Sequence, residues 1–400
     1  MSDVWRKSKW ILLGGSLILA LSLGVRHGFG LFLPPMSAEF GWGREVFAFA
    51  IALQNLIWGL TQPFTGAVAD RFGAKRTIVV GGLLYAAGLL LMGMADSALS
   101  LSLSAGVLIG IGLSGTSFSV ILGVVGRAVP PKSRSMAMGI AAAAGSFGQF
   151  AMLPGTLGLL SWLGWSAALM VLGMLVAMIV PLAKMIKDVP IPVAAHEQTL
   201  REALREACGH SGFWLLALGF FVCGFQVVFI GVHLPAYLVD QHLPALVGTT
   251  VLALVGLFNI FGTYIAGWLG GRMSKPRLLS ALYLARAVVI VAFVLTPLSV
   301  WTAYAFGVAM GLLWLSTVPL TNGTVATLFG VRNLSMLGGI VFLFHQLGSF
   351  LGGWLGGYVY DHTGSYDLVW QIAVVLSLLA AALNWPVREV PVARLQGAAA

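Results

Sequence analysis

Charge is what this chain has least of. Of its 400 residues only 9% are charged, 13 acidic against 22 basic, while 59% are hydrophobic. Soluble domains carry roughly a quarter charged residues, so a water-soluble globule is excluded. Cysteine is nearly absent: Cys208 sits in a polar stretch and Cys223 in an apolar one, which excludes a disulfide framework and shows no metal-ligand spacing. Segments of alternating polarity are also missing, which excludes a membrane β-barrel. What remains abundant is long apolar runs and 51 glycines. In hydrocarbon every backbone polar group must be satisfied internally, so these runs are expected to be helices of an all-α, multi-pass membrane protein.

The punctuation divides the chain into twelve apolar segments: about 10–33, 45–69, 77–95, 99–126, 134–156, 163–184, 211–238, 246–270, 278–296, 299–326, 334–359 and 366–385. The first runs into Pro34-Pro35 and lacks a small-residue cleavage site, so it is expected to be a retained span. When loops are assigned alternately to two sides, 19 of the 22 basic residues fall on the side of the N-terminus and only Arg44 on the other. By the positive-inside rule both termini are expected in the cytoplasm. The formal charge of +9 then reports topology, and no nucleic-acid partner is needed to explain it.

The long polar stretch from Lys187 to His210, with Pro190 and Pro192, divides the spans six and six. The expected organisation is a six-helix bundle over 1–186, a cytoplasmic connector over 187–210 and a second bundle over 211–400. Within the connector Thr199-Leu200-Arg201-Glu202 reads as a capping box, and Leu200, Leu204 and Cys208 recur every four residues, which predicts a short amphipathic helix. The bundles repeat one another. Residues Gly66 to Arg76 align at an offset of 201 with Gly267 to Arg277, Leu33-Pro34 with Leu234-Pro235 at the same offset, and Gly145-Ser146-Phe147 with Gly348-Ser349-Phe350 at 203. Parallel six-span repeats are a transporter architecture with the substrate near mid-membrane.

The stretch Gly66-Ala67-Val68-Ala69-Asp70-Arg71-Phe72-Gly73-Ala74-Lys75-Arg76, after the second segment and with a weaker copy after the eighth, resembles the loop signature of the major facilitator superfamily. The resemblance implies twelve transmembrane helices in two bundles that transport by alternating access. It also places Asp70, Arg71, Lys75 and Arg76 as a cytoplasmic gate, where the carboxylate and the bases make charge-assisted bonds that break when the halves separate. Phe40-Gly41-Trp42-Gly43-Arg44 and Asp361-His362-Thr363-Gly364-Ser365-Tyr366-Asp367 are similar to outer loops of the monocarboxylate and oxalate/formate porters of that superfamily. Three departures matter. Gly145-Ser146-Phe147-Gly148 lacks the Gly-Pro pair of drug antiporters, and Gly106 stands where many proton-coupled members carry an arginine. Where carboxylate porters often carry an arginine in span eight, this chain has Asn259 and Thr263.

None of the 13 acids lies in the middle of a segment, yet Arg26 and Arg286 do. Each such arginine costs roughly 2.5–3.5 kcal/mol at a helix centre unless water, carbonyls or a bound anion compensates it. An anionic substrate answers that imbalance, and a planar guanidinium matches a carboxylate as a bidentate pair. Arg26 is the favoured substrate contact, with His27 beside it. For Arg286, bonding to carbonyls or to Tyr283 is the favoured reading. Mid-span polar and aromatic residues complete the candidate pocket: Asn55, Trp58, Gln149, Gln226, Asn259, Trp314, His345 and Gln346. Proton coupling would fall to His27, His345 or His233.

The run Gly110-Ile111-Gly112-Leu113-Ser114-Gly115 spells a dinucleotide-binding pattern but sits in an apolar segment after no strand, so helix packing is expected. His196-Glu197 lacks the second histidine of a zinc protease. The chain is therefore read as no enzyme and as using no metal or cofactor. The expectation is a monomeric transporter in a cell membrane, the bacterial inner membrane, carrying a small organic anion, a monocarboxylate, with protons. The alternatives are efflux of an amphiphilic drug or metabolite, and a sensor that binds the same ligand without transporting it.

Overall fold

The computed structural model describes residues 3–42, 44–187 and 198–396. Gly43 of the outer-loop likeness, and Pro190, Pro192 and His196-Glu197 of the connector, lie outside the described residues. Among those described there is no strand. The helices are α1 (Asp3–His27), α2 (Leu33–Phe40), α3 (Arg44–Phe72), α4 (Ala74–Gly93), α5 (Ala98–Leu101), α6 (Ile109–Thr116), α7 (Phe118–Ala128), α8 (Pro131–Ala177), α9 (Ile179–Leu182), α10 (Leu200–Cys208), α11 (Ser211–Asp240), α12 (Ala245–Gly270), α13 (Lys275–Leu295), α14 (Val300–Leu313), α15 (Thr317–Phe329), α16 (Leu334–Thr363), α17 (Asp367–Asn384) and α18 (Ala393–Gln396). A π-helical stretch, Ser102–Leu108, joins α5 to α6.

Ten of the described helical runs are long and apolar enough to cross a membrane. The difference from the twelve segments of the sequence has two sources. Segments five and six form one run, Pro131–Met185, of 55 residues. At 1.5 Å per residue that is about 80 Å, far beyond a hydrocarbon core of about 30 Å. Gly164 breaks it, with φ of 75° that only glycine adopts without strain. The second segment is the 29-residue α3, which is not among the ten.

The chain clusters into two compact units. The first comprises Met1–Pro130, Ala144–Glu197 and Arg332–Gly339; the second comprises Pro131–Ala143, Gln198–Val331 and Ile340–Ala400. In this grouping the start of α8 falls in the second unit and the start of α16 in the first.

In the first unit α4 packs on α6, α3 on α6, and α1 on α7. Here the Gly110 to Gly115 run is a packing face. A Cβ on Gly115 would lie 2.9 Å from the Thr77 carbonyl oxygen, and one on Gly81 would lie 2.9 Å from that of Gly112, so α4 and α6 touch backbone to backbone. The π-helical turn adjoining α6 is served from α3, since Gln54 Nε2 donates to the Ala105 carbonyl at 2.7 Å.

In the second unit α12 packs on α14 and α13 and α11 on α17. Phe229, Phe293, Phe306 and Trp370 meet in an aromatic core, with Phe293 stacked on Phe306 at 4.2 Å between centroids. The predicted connector helix is α10. Both capping-box bonds form, Glu202 N to Thr199 Oγ1 at 3.2 Å and Thr199 N to Glu202 Oε2 at 2.7 Å. The packed face, however, is Ala203 and Ala207, while Leu204 and Cys208 are exposed. Small side chains seat the helix closely against the protein, which leaves the longer apolar ones outward.

Candidate functional site

Both units break their fourth long helix, and the breaks decide what the polar mid-span residues do. In the first unit α6 ends at Thr116 and α7 begins at Phe118, with Ser117 extended between them. Trp58 of α3 donates its Nε1–H to Ser117 Oγ at 3.0 Å and to Gln62 Oε1 at 2.9 Å, and Gln62 Nε2 donates to the Ser114 carbonyl at 2.8 Å. In the second unit α14 ends at Leu313 and α15 begins at Thr317. Asn259, which the offset of 201 aligns with Trp58, accepts the Leu315 N–H at 2.9 Å.

The second break also accommodates Arg286. This side chain is fully buried. Its Nε and one terminal nitrogen donate to the Leu313 carbonyl at 3.2 and 2.6 Å, the same nitrogen reaches the Trp314 carbonyl, and the other donates to Gln226 Oε1 at 3.2 Å. The guanidinium carbon lies 5.3 Å from the Tyr283 ring centroid. Gln226 is in turn tied to the Ala373 carbonyl at 3.0 Å and Ser377 Oγ at 2.5 Å. A buried cation and a broken helix thus satisfy each other: the break supplies carbonyls that no backbone N–H claims, and the arginine supplies donors that no acid claims. Arg286→Leu is expected to destabilise by on the order of 3 kcal/mol, because those carbonyls lose charged donors. The check is a lowered melting temperature of the purified protein with the half-saturating substrate concentration of the surviving fraction unchanged; a changed KM with unchanged melting would contradict it.

Arg26 differs in this respect. It stands near the end of α1, half-buried, and one terminal nitrogen donates to Asn55 Oδ1 of α3. Asn55 Nδ2 is fixed by the Ile51 carbonyl at 3.0 Å, which turns the oxygen to Arg26. The guanidinium carbon lies 4.9 Å from the Trp58 ring centroid, a cation–π contact. Its Nε is buried without a hydrogen-bond partner. Three of the sequence-chosen residues, Arg26, Asn55 and Trp58, are therefore in direct contact. His27 turns back to its own helix, with Nδ1 2.6 Å from the Leu23 carbonyl. Gln149 is half-buried on α8, where Gly148 and Gly24 seat that helix against α1.

Of the candidates in the second unit, Gln226 and Asn259 hold the helix break, and Trp314 is buried at that break. His345 and Gln346 are buried, with His345 Nδ1 3.1 Å from Gln346 Oε1 and its ring stacked on Phe342. His345 Nδ1 also lies 3.4 Å from Ser349 Oγ, and the Cys223 sulfur lies 3.2 Å from Thr317 Oγ1 and 3.7 Å from a terminal nitrogen of Arg286. His233 Nε2 is 2.8 Å from the Gly353 carbonyl and its ring packs by Phe229 and Tyr366.

At the signature loop, Asp70 pairs with Arg127 of α7 at 2.5 Å, and Asp70 Oδ2 accepts the Met336 N–H of α16 at 2.8 Å. Arg71, Lys75 and Arg76 are exposed. Sequence reasoning missed Arg127, Cys223 and Thr317. Arg127 had been counted as one loop base among many, and neither composition nor spacing marks it as the partner of Asp70.

With the fold and these sites in place, comparison with known proteins gives the class. The Major Facilitator Superfamily family model matches residues 12–317, and the chain belongs to that superfamily. It is a membrane transporter, and its relatives are transporters rather than enzymes. It is 25% identical over 398 residues to an uncharacterized MFS-type transporter, YcxA of Bacillus subtilis (strain 168), covering 94% of this chain and 95% of that one. It is 27% identical over 371 residues to Monocarboxylate transporter 11 of Mus musculus, covering 90% and 82%. The solved structure of the fucose:proton symporter FucP of E. coli shares the fold, with a TM-score of 0.73 at 16% identity over 96% of this chain and 98% of that one.

Proposed function

We propose that this transporter carries a small organic anion, a monocarboxylate, across the cell membrane in symport with protons by alternating access. The carrying observation is Arg26: a guanidinium in the last turn of α1 with a buried Nε that meets no acceptor among the described residues, held by Asn55 and Trp58 and by no acid among those residues. A carboxylate on the Nε edge would complete its bonds and neutralise it. Arg286 has no such need, because the α14–α15 break already saturates it. One fixed positive charge suits one carboxylate. The names of the relatives agree with this reading, as the mouse relative is a monocarboxylate transporter and the structural neighbour a proton symporter.

The scaffold in this reading has twelve spans: α3 crosses, and the 55-residue run crosses twice with Gly164 at the turn. Both termini face the cytoplasm, the Asp70–Arg127 pair latches that side, and the protein acts as a monomer in the bacterial inner membrane. His345, buried beside Gln346 and Ser349, and His27 carry the proton. Proteoliposomes loaded at neutral pH are expected to accumulate labelled monocarboxylate several-fold more when the outside is acidic than with no gradient. Uptake indifferent to the imposed gradient would exclude symport, and label that binds without crossing would indicate a sensor.

A further inference from the structure

The internal repeat is asymmetric at the loop end of its signature. In the first unit Asp70 closes a small constellation: its carboxylate meets the Arg127 guanidinium and the N–H of Met336 in the first turn of α16. The offset of 201 puts Gly271 where that acid would be. The partner of Gly271 is the first turn of α8, and a Cβ on Gly271 would lie 3.3 Å from the Lys132 carbonyl oxygen. The second unit therefore repeats the meeting of loop and helix start without the carboxylate.

A cavity of about 300 Å³ occupies this place, wholly within the second unit and lined by Arg134, Ser135, Lys275 and Thr327 among others. Both cations stand in the first turns of helices, α8 beginning at Pro131 and α13 at Lys275, so two positive helix ends reinforce them. Among the described residues no carboxylate lines the cavity. Glu389 lies behind Lys275, accepting from its Nζ at 2.7 Å and its backbone N–H at 3.0 Å. Ser135 supplies the independent sign of a ligand. Ser135 lines the cavity and is 2% exposed, and its Oγ is buried with no hydrogen-bond partner. A buried hydroxyl left unpaired costs roughly as much as a lost hydrogen bond, and an anion in the cavity would relieve it.

We propose that this cavity binds a phosphate-type oxyanion, which supplies from outside the negative charge that Asp70 supplies in the first unit. Arg134 and Lys275 hold the charge, Ser135 donates its orphan hydroxyl, and the volume exceeds a bare phosphate enough to admit a phosphodiester. The ligand chemistry is shared by free phosphate and by the headgroup of an anionic phospholipid, and the site is independent of Arg26.

The test is thermal melting of the full-length purified protein. One arm adds inorganic phosphate in detergent, with chloride at matched ionic strength as control; the other compares nanodiscs of phosphatidylcholine alone with nanodiscs containing phosphatidylglycerol. Stabilisation by phosphate identifies the free anion, and stabilisation confined to phosphatidylglycerol identifies the lipid. In either case Arg134→Gln and Ser135→Val are expected to raise the half-saturating concentration, the former roughly tenfold. Glu389→Gln, which frees Lys275, is expected to lower it, and Arg26→Gln to leave it unchanged. The proposal is overturned if neither arm stabilises the wild type, or if Arg134→Gln and Glu389→Gln both respond like the wild type.

Discussion

Arg26→Gln is expected to reduce carboxylate uptake by two orders of magnitude or more while the protein still inserts and melts near the wild-type temperature. The size follows from what the side chain does. Removing one member of a buried, hydrogen-bonded charge pair costs about 2–5 kcal/mol, or roughly 30- to 4,000-fold in affinity. Stability is spared because Arg26 makes one protein hydrogen bond, to Asn55, and one ring contact, to Trp58. Arg26→Lys is expected to recover little, since an ammonium presents no planar edge to a carboxylate and no Nε. Uptake by Arg26→Gln within a few-fold of wild type would remove the arginine from the substrate site.

The second large effect belongs to Asp70. Its carboxylate is almost wholly buried, 1% exposed against 7% for the Arg127 side chain. Asp70→Asn leaves that guanidinium without its counter-charge, and breaking a buried pair from one side costs about 3–5 kcal/mol. The expected result is a strong fall in melting temperature together with loss of transport, partly relieved in the double variant Asp70→Asn, Arg127→Gln, where no uncompensated charge remains. If the double variant is no more stable than the single, the pair is not what holds this end of the unit. Arg71→Gln and Lys75→Gln, at exposed positions, are expected to change melting little.

Hydropathy makes the helices legible, because a bilayer leaves few alternatives to a helix wherever about 20 apolar residues run together, and the motifs aligned at offsets of 201 and 203 make the repeat legible. The signature loop was likewise readable, since an acid between bases at a helix end is conspicuous in a chain with so little charge. Arg26 and Arg286 were visible as mid-span cations without acids, but what separates them was not. That separation depends on the break between α14 and α15, where Trp314, Leu315 and Ser316 are neither proline nor glycine and the one local sign is Pro319 in the first turn of α15, which cannot donate to the Leu315 carbonyl. The roles of Asn259 and Gln226 were hidden for the same reason: a mid-span amide looks alike whether it faces a substrate or a broken backbone. The pairing of Asp70 with Arg127 joins positions 57 residues apart, and only the packing of α3 by α7 brings them together.

The most direct measurement sets a small 2-hydroxy acid against its neutral amide, titrated separately into the purified wild-type protein and into Arg26→Gln, with binding read by calorimetry. The two ligands have nearly the same shape and differ in the charge that Arg26 would meet. The acid is expected to bind the wild type at least tenfold more tightly than the amide, and that preference is expected to vanish in Arg26→Gln. Equal binding of acid and amide to the wild type, or a preference for the acid that survives in Arg26→Gln, would contradict it.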